Sequence, residues 1–397
     1  MRHKTVVATA VLLLVASIAA PVSAASGNAS GHAYAGSSVT FDAQDSAIAN
    51  YTVDGHTVVQ RLGVQSTSKA SSSGSLDVGI GANVDLGTLT NVDFASISVG
   101  ARTETGARVT TESGATITAN DDDHGVLVVD SGGKSQVVVA NVSADASANP
   151  DGDSQVEVTT DGGTQTTFLA VGNASVAVNE NGDVSGQVGE NGKLVVRSYP
   201  HGKTKADEHA EEYVASGLAV GEAYATAGAN ASGDATTSTV TYANDTTIEA
   251  AQTGESTVNV TVDRTAHQGK VVVTTVSKDA VGSLDDVSVT VDGEAAVEAS
   301  SYADLESAVG SDHAAYVVKQ QTEGQATVFV AFNHFSTHTA SISGANADQT
   351  TSSTSETSSS SSSSTSGGST SSGSSPGFGL VAGAGALLAL AAFARRD

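Results

Sequence analysis

The feature that most constrains the fold of this chain is a series of Asp-Gly and Asn-Gly dipeptides set between short runs rich in valine and threonine. The runs largely alternate apolar and polar residues, as strands with one buried face do. The dipeptides favour the positive φ angles of two-residue hairpin turns. They are Asp54-Gly55, Asp161-Gly162, Asn181-Gly182, Asn191-Gly192 and Asp292-Gly293. The pattern predicts a mainly β fold made of antiparallel, β-sandwich-like modules.

Two stretches allow more detailed strand predictions. Residues 174–199 contain three runs joined by two of these turns, which predicts a three-stranded meander. The last run of the body predicts a strand whose side chains alternate between two faces. One face holds Val328, Val330 and Phe332, and the other holds Phe329, Ala331 and Phe335.

Two short helices are expected to interrupt the strands. Thr204 and Asp207 form a capping-box pattern, and the apolar residues that follow recur at helical spacing. These residues are Ala206, Ala210, Tyr213, Val214, Gly217 and Leu218. Ser301 and Asp304 begin a second, shorter helix in the same way, and Gly310 is its expected C-cap.

The N-terminus has the three parts of a secretory signal peptide. Arg2 and Lys4 are positive, residues 6–20 are apolar, and Val22-Ser23-Ala24 is a small-residue cleavage site. Signal peptidase is therefore expected to cut after Ala24, which makes this an exported protein. The alternative is that the apolar run is retained as a membrane anchor.

The C-terminus carries a second targeting pattern. Nearly every residue from 350 to 375 is Ser, Thr or Gly, and such a tract buries too little to become ordered. It predicts a disordered stalk open to O-glycosylation. Residues 377–394 then form an apolar helix of roughly 27 Å, just short of a hydrocarbon core of about 30 Å. Arg395 and Arg396 follow it and are expected to stay on the cytoplasmic side.

This tail closely resembles the PGF-CTERM sorting signal of archaeal, chiefly haloarchaeal, surface proteins. The resemblance lies in Pro376, Gly377 and Phe378, in the apolar helix with its terminal arginine pair, and in the preceding Ser/Thr tract. It implies that an archaeosortase removes the helix near the tripeptide and that a prenyl-type lipid takes over anchoring. The alternative is a transmembrane helix that is retained. In both cases the protein is expected outside the cell, anchored to the membrane at its C-terminus.

These signals divide the chain into five parts. They are the signal peptide (1–24), an N-terminal β-rich domain ending in a helix (25–230), a C-terminal β-sandwich module (231–344), the Ser/Thr-rich stalk (345–375) and the sorting signal with its transmembrane helix (376–397). The module at 231–344 is similar in pattern to small β-sandwiches that precede the stalk in haloarchaeal surface proteins.

The charge of the chain constrains its solvent and its partners. The formal net charge is -26, from 43 Asp and Glu against 17 Lys and Arg. Such self-repulsion destabilises a compact chain in dilute buffer, whereas 1 M salt shortens the screening length to about 3 Å. The composition therefore predicts a halophilic protein. Nucleic acid is not an expected partner because no basic stripe is present, and cell-envelope or surface-layer components are expected instead.

Several local motifs bear on modification and metal binding. N-glycosylation sequons occur at Asn28, Asn50, Asn141, Asn173, Asn230, Asn244 and Asn259, with Asn173 and Asn244 favoured because they lie near loops. Acidic loops at 120–124 and 151–153 offer oxygen ligands to Ca²⁺. An EF-type spacing also occurs at Asn179, Asn181, Asp183 and Glu190, but Val184 stands where that motif needs glycine. A hairpin turn explains the same residues, so neither a metal site nor a cofactor is predicted.

Known catalytic motifs do not match this sequence. Gly133-Lys134-Ser135 and Gly202-Lys203-Thr204 lack the earlier glycines of a phosphate loop and are interpreted as turns. Cysteine is absent, and His201 and His209 have no partner at ligand spacing and are expected on the solvated surface. The sequence therefore predicts that the chain is not an enzyme. The leading hypothesis is a structural or binding protein of an archaeal envelope, and the alternative is an exported enzyme with an unfamiliar site.

One further motif gives a second alternative. His334-Phe335-Ser336, at the entry to the last strand, resembles the cleavage site of self-cleaving, GAIN-like β modules. The resemblance implies that His334 acts as the base and Ser336 as the nucleophile, and that the Phe335–Ser336 bond breaks. An ordinary last strand, in which both side chains have structural roles, is the interpretation favoured by the residues themselves.

Overall fold

The computed structural model describes residues 32–44, 47–72, 84–92, 96–226, 235–322 and 324–344. They all fall within one compact unit, residues 1–348. The predicted signal peptide, stalk and sorting tail lie outside the described residues, as does the domain boundary expected near residue 230.

The first part of the described chain is built from short strands. These are β1 (His32–Ala35), β2 (Val39–Gln44), β3 (Ala47–Val53), β4 (His56–Ser66), β5 (Ile97–Thr103), β6 (Gly106–Thr111), β7 (Thr116–Asn120), β8 (Leu127–Asp130), β9 (Gln136–Asn141), β10 (Ser147–Asp151), β11 (Gln155–Thr159), β12 (Gln165–Val171), β13 (Ala174–Val178), β14 (Val184–Val188) and β15 (Lys193–Tyr199). Helix α1 (Thr67–Ser72) follows β4, and helix α2 (Lys205–Ala215) follows β15.

The second part is built in the same way. Its strands are β16 (Ala219–Thr226), β17 (Thr236–Thr241), β18 (Thr246–Gln252), β19 (Thr257–Arg264), β20 (Gln268–Ser277), β21 (Ser288–Val291), β22 (Glu294–Ala295), β23 (Val297–Glu298), β24 (Ala315–Thr322), β25 (Gln325–His334) and β26 (Thr337–Ser343). Helix α3 (Lys278–Val281) follows β20, and helix α4 (Tyr302–Ala308) precedes β24.

The first sandwich consists of two antiparallel sheets. Sheet I has the strand order β1-β2-β3-β4-β9-β14-β13, and sheet II has the order β10-β11-β12-β15-β8-β7-β6-β5. Their facing sides enclose a core that is rich in valine and alanine and includes Phe41, Ile48, Tyr51 and Phe168. The strands alternate, so their second faces are free to pack elsewhere.

The second sandwich pairs a mixed sheet with an antiparallel one. Sheet III has the order β17-β16-β20-β25-β24-β23, in which β16–β20 and β23–β24 are parallel. Sheet IV has the order β18-β19-β26-β21-β22. The core between them includes Val272, Val276, Phe332 and Ile342.

A third buried layer, called the middle layer below, lies between the outer faces of sheets II and III. Its apolar residues come from both sheets and from helices α2 and α4, and they include Leu169, Val195, Tyr213, Val271 and Phe329. Strand β15 serves two layers, because Leu194 and Val196 face the first core while Val195 faces the middle layer. The two sandwiches therefore share one continuous stack of four sheets.

The mainly β class predicted from the sequence is confirmed, and so are several of its turns. Asp54 and Gly55 have φ angles of 47° and 80°, and Asp292 and Gly293 have 54° and 83°. Positive φ at both central residues is the type I′ geometry that suits hairpins. These turns join β3 to β4 and β21 to β22.

The predicted three-stranded meander is wrong. β13 and β14 do form a hairpin, but β15 pairs with β12 and β8 in sheet II, whereas β14 pairs with β9 in sheet I. The turn at Asn191-Gly192 therefore carries the chain from one sheet to the other. The physical reason is that β15 is buried on both faces, so it needs a central position between two layers.

Both predicted helices are present. Thr204 caps α2 with a complete capping box to Asp207, and Ser301 caps α4 through the backbone N–H of Asp304. The second helix ends one residue earlier than expected: Val309 is its C-cap, and Gly310 follows with φ of 80°. The short helices α1 and α3 were not predicted. Across the described ranges, none of the helices is long and apolar enough to cross a membrane.

Candidate functional site

The middle layer contains a cluster of buried charged and tyrosine side chains, called the ionic cluster below. Sheet II, helix α2 and sheet III all contribute to it, so it lies where the two sandwiches meet. Its members are Asp122, His124, Glu157, Arg197, Tyr199, Lys203, Asp207, Glu211, Glu222, Tyr224 and Tyr242.

The centre of the ionic cluster is an ion pair between Arg197 on β15 and Glu222 on β16. Both side chains are 2% exposed. Burial is the largest influence and opposes the charged guanidinium, but the Glu222 carboxylate and the surrounding tyrosine hydroxyls together raise the pKa of Arg197 well above its usual value. Tyr224 donates its hydroxyl to the second oxygen of Glu222. This buried ion pair therefore connects sheet II to sheet III.

A chain of contacts leads from Arg197 toward the surface. Arg197 Nε donates to the Tyr199 hydroxyl at 2.9 Å, and that hydroxyl donates to Glu211 Oε1 at 2.6 Å. Lys203 Nζ lies 2.8 Å from Glu211 Oε2 and 3.1 Å from Glu157 Oε1. Lys203 thus bridges a buried carboxylate on α2 and a partly exposed one on β11.

This end of the chain of contacts opens into a polar cleft of about 320 Å³. The cleft is lined by Gln155, Glu157, Gln165, Lys203, Glu208 and Glu211. Gln165 is already engaged, because it donates to Glu157 at 3.0 Å and accepts from the Lys203 backbone at 3.2 Å. A molecule entering the cleft would meet side chains that are bonded to one another.

A second branch of the ionic cluster centres on His124, in the loop after β7. Its Nε2 lies 3.1 Å from Asp207 Oδ1 on α2. Burial is the largest influence on His124 and lowers its pKa, but the hydrogen bond and charge of Asp207 together with the charge of Asp122 raise that pKa overall. Burial likewise opposes ionisation of Asp207, whereas the hydrogen bond and charge of His124 and the charge of Arg197 together lower its pKa. Both shifts favour the charged form of the pair.

Asp122 behaves differently although it lies in the same loop. Burial raises its pKa to about 7, with the His124 charge and a backbone bond from Val126 acting in the opposite direction. Its Oδ1 accepts the backbone N–H groups of His124 at 3.0 Å and Val126 at 3.2 Å. Asp122 is 4% exposed, so gain or loss of a proton on its carboxyl would change how the loop packs.

The predicted cleavage motif lies where the chain passes from sheet III to sheet IV. His334 ends β25, and Ser336 is exposed in the two-residue connection to β26. Phe335 is fully buried and packs 5.2 Å from the Phe332 ring, within the second core. The expected placement of Phe335 on the face opposite Phe332 is wrong, because the strand ends at His334 and the chain turns there.

The peptide between Phe335 and Ser336 is held by two neighbours. The Phe335 carbonyl oxygen lies 2.8 Å from His267 Nδ1, and since a carbonyl only accepts, that nitrogen carries the hydrogen. The backbone N–H of Arg264 donates to the Ser336 carbonyl at 3.1 Å. The His334 ring packs edge-on against His338, with centroids 4.9 Å apart. A polarised carbonyl next to a serine is thus present at the predicted bond.

Acidic residues from two of the three motifs considered for Ca²⁺ bond to neighbouring parts of the chain. Asp121 accepts the backbone N–H groups of Ser37, Ser38 and Val39 at 2.7 to 2.8 Å. Asp183 accepts from the Asn141 amide at 2.7 Å. Within the described part of the chain, no three His, Cys, Asp or Glu side chains are grouped so that they could hold a metal ion.

The remaining motif residues lie at turns and helix ends. Gly133-Lys134-Ser135 falls in the turn between β8 and β9, and Thr204 of the second phosphate-loop-like motif is the N-cap of α2. The His201 side chain is 84% exposed, as expected, whereas His209 stacks on Tyr302 with ring centroids 3.7 Å apart.

No sequence motif predicted the central pair, Arg197 and Glu222. A signal was present, because Glu222 is the single charge of β16 and Arg197 follows the apolar run Leu194-Val195-Val196 within β15. Such a charge must either be paired or stay out of the core. Their mutual pairing could not be found, because it depends on two sheets from different sandwiches coming together.

Comparison with known proteins does not assign this chain to a family. No family model matches the chain, and no curated protein matches it. Solved structures that it resembles include a glycoside hydrolase of family 81 from Clostridium thermocellum, at 10% identity and a TM-score of 0.28. The match covers 79% of this chain and 32% of the hydrolase, so the chain spans about a third of that protein's length. At this TM-score the likeness establishes neither fold nor activity.

One prediction is corrected here. The prediction that the chain is not an enzyme was wrong to rest on missing motifs alone, and the structure named above is that of an enzyme. Missing motifs do not exclude catalysis, because function depends on the geometry of a site whose residues can come from separate strands.

Proposed function

We propose that this protein is exported, glycosylated and anchored at an archaeal cell surface, where it has a structural or binding role. The signal peptide and the sorting tail supply the targeting part of the proposal. The folded body supplies the structural part, because its ionic cluster joins the two sandwiches.

The observation that carries the proposal is where the positive charges lie. The side chains of Lys193, Arg197, Lys203 and Arg264 are 8%, 2%, 6% and 9% exposed, and each is paired with a carboxylate. Four acidic residues, Asp122, Asp207, Glu211 and Glu222, are buried as well, so the buried charges balance and the excess of Asp and Glu over Lys and Arg is left at the surface. A strongly acidic surface suits concentrated salt and an envelope exposed to it.

The experiment is intact mass spectrometry of the native protein extracted from membranes. The expected mass lacks residues 1–24 and the residues after the PGF tripeptide, and it includes lipid and glycan. Replacement of Phe378 should leave the precursor at full length in the membrane. Recovery of protein that still contains the N-terminal segment, from the cytoplasm, would overturn the proposal.

A second candidate function is self-cleavage between Phe335 and Ser336. The hydrogen bond from His267 to the Phe335 carbonyl favours it, because it would stabilise the charge that develops on that oxygen when the serine hydroxyl attacks. The test is denaturing electrophoresis beside Ser336→Ala. Cleavage predicts a fragment that is lost in the variant, and a single intact band in both would exclude it.

A further inference from the structure

We propose that N-linked glycans on Asn173 and Asn244 cover free edges of the β-sheets. This inference rests on the proposed export of the protein, because glycosylation of this kind follows translocation. It adds to that proposal in two ways: two of the seven sequons are selected, and their glycans are given the role of covering sheet edges.

The selection follows from sheet topology. Asn173 immediately precedes β13, which is an edge strand of sheet I. Asn244 lies in the connection between β17 and β18, which are edge strands of sheets III and IV. In the sequence, Asn28 and Asn230 likewise precede the edge strands β1 and β17, although both lie outside the described residues.

The other three sequons lie within central strands. Asn50 is in β3, Asn141 in β9 and Asn259 in β19. The Asn141 amide donates to Asp183 at 2.7 Å, and the half-buried Asn259 donates to Thr253 at 3.1 Å. A glycan on either amide would have to replace contacts that hold neighbouring chain segments together.

Asn173 and Asn244 are better placed for modification. Both side chains are exposed. The Asn244 amide makes a long contact of 3.3 Å with the Asn191 carbonyl, at the limit of hydrogen-bond distance. The Asn173 carbonyl accepts from Gly189 at 2.8 Å, and the exposed Asn173 amide lies against the same glycine. Both residues also border the same loop, residues 189–192, so the two glycans would stand close together.

Two of the edge strands beside these residues, β13 and β17, lack the usual protection, whereas β18 carries Glu249. Free edges recruit other strands unless they are charged, interrupted by proline or very short. Strand β10 contains Pro150 and Asp151, and β22 and β23 have two residues each. Strand β13 reads ASVAV and β17 reads TTSTVT, with no charge or proline in either. One outward group of β13 is satisfied, because Val176 donates to Asp153 at 2.9 Å.

A groove of about 550 Å³ follows the other edges. Thr237, Ser238 and Thr239 of β17 line it, as do residues 249–251 of β18. Apart from Glu249 these side chains are small, and residues of β5, β6 and β7 form the opposite wall of the groove. Because salt screens the net charge of -26, repulsion alone would not keep two molecules apart here. An uncharged glycan at the turn would act at any salt concentration.

The first test is glycopeptide mapping of native protein from membranes. Occupancy is expected at Asn173 and Asn244 and not at Asn141 or Asn259. Unmodified Asn173 and Asn244 in protein that has lost residues 1–24 would overturn this inference while leaving export intact. Protein that keeps those residues in the cytoplasm would instead overturn the proposed function.

The second test measures self-association in high salt by light scattering. Asn244→Gln should lose one glycan mass and show a several-fold rise in the oligomer fraction, whereas Thr246→Ser keeps the sequon and serves as the control. At the other edge, Ser175→Ala should behave like Asn244→Gln. Ser175→Lys removes the same glycan but adds an edge charge, so it should stay monomeric. Equal monomer fractions in all four variants would overturn the covering role.

Discussion

Between sheets I and II the buried core consists of aliphatic and aromatic side chains, whereas between sheets II and III an arginine, a lysine, a histidine and several carboxyls are buried among tyrosines. The two layers bury apolar residues alike, since the middle layer also holds Leu169, Val195 and Phe329. The middle layer differs in that it also buries charged side chains.

This difference teaches how each layer is specified. Apolar burial stabilises by about 25 cal/mol per Å² and has little direction, so it brings sheets together without choosing their register strictly. Buried ion pairs contribute little net stability but are costly when they are broken. The ionic cluster therefore defines one way for the sandwiches to meet, and it makes that junction sensitive to pH and to substitution.

We expect a change in salt concentration to have the largest effect on stability, because salt acts on both the first core and the middle layer. Lowering KCl well below 1 M should unfold the body cooperatively, because screening and salt-strengthened apolar burial are lost together. Circular dichroism melts from 0.1 to 3 M KCl would measure this. A flat melting temperature would contradict it, and two separate transitions would show that the middle layer fails before the cores.

The next effect concerns the central pair. Arg197→Met leaves the buried Glu222 carboxylate without its main partner and should cost about 3–5 kcal/mol in the free energy of unfolding. The double variant Arg197→Met with Glu222→Met should recover most of that loss, since no unpaired charge remains. The exposed Arg108 gives a control with the same charge change, and Arg108→Met should stay within about 0.5 kcal/mol. Equal losses for the two arginine variants would remove the distinction between the layers.

A smaller effect is expected from pH. Folding raises the pKa values of Asp122 and His124, so the folded state binds both protons more tightly than the unfolded one. Their contributions are full in acid and are lost as pH rises, for Asp122 from about 4 to about 7. The free energy of unfolding should fall by an amount on the order of 3 kcal/mol between pH 5 and 8. Asp122→Asn should flatten this slope, and an unchanged slope would show that Asp122 does not titrate in the middle layer.

The smallest effect on stability is expected at Lys203, where the ionic cluster opens into the polar cleft. Lys203→Met leaves Glu211 buried but still bonded to Tyr199, so a loss of about 1–3 kcal/mol is expected. Lys205, with a side chain 85% exposed, provides the matched control, because Lys205→Met removes the same charge from the same helix start. A loss in Lys205→Met as large as in Lys203→Met would mean that net charge, not the bridge, matters.

The sequence by itself determined the local structure. Alternation predicted the strands, Asp-Gly and Asn-Gly dipeptides marked the turns, and the patterns at Thr204 and Ser301 predicted both helix starts. These features depend on neighbours within a few residues of one another, where backbone sterics and capping decide the outcome.

The tertiary structure decided which strands share a sheet and which charges meet. The turn at Asn191-Gly192 is present, yet it joins two sheets, because β15 must be buried on both faces. Arg197 pairs with Glu222, and Lys203 pairs with Glu157, although the partners belong to different elements of the chain. Long-range pairing is set by the mutual fit of whole buried faces and by the cost of leaving a buried charge unpaired, and no local pattern contains that information.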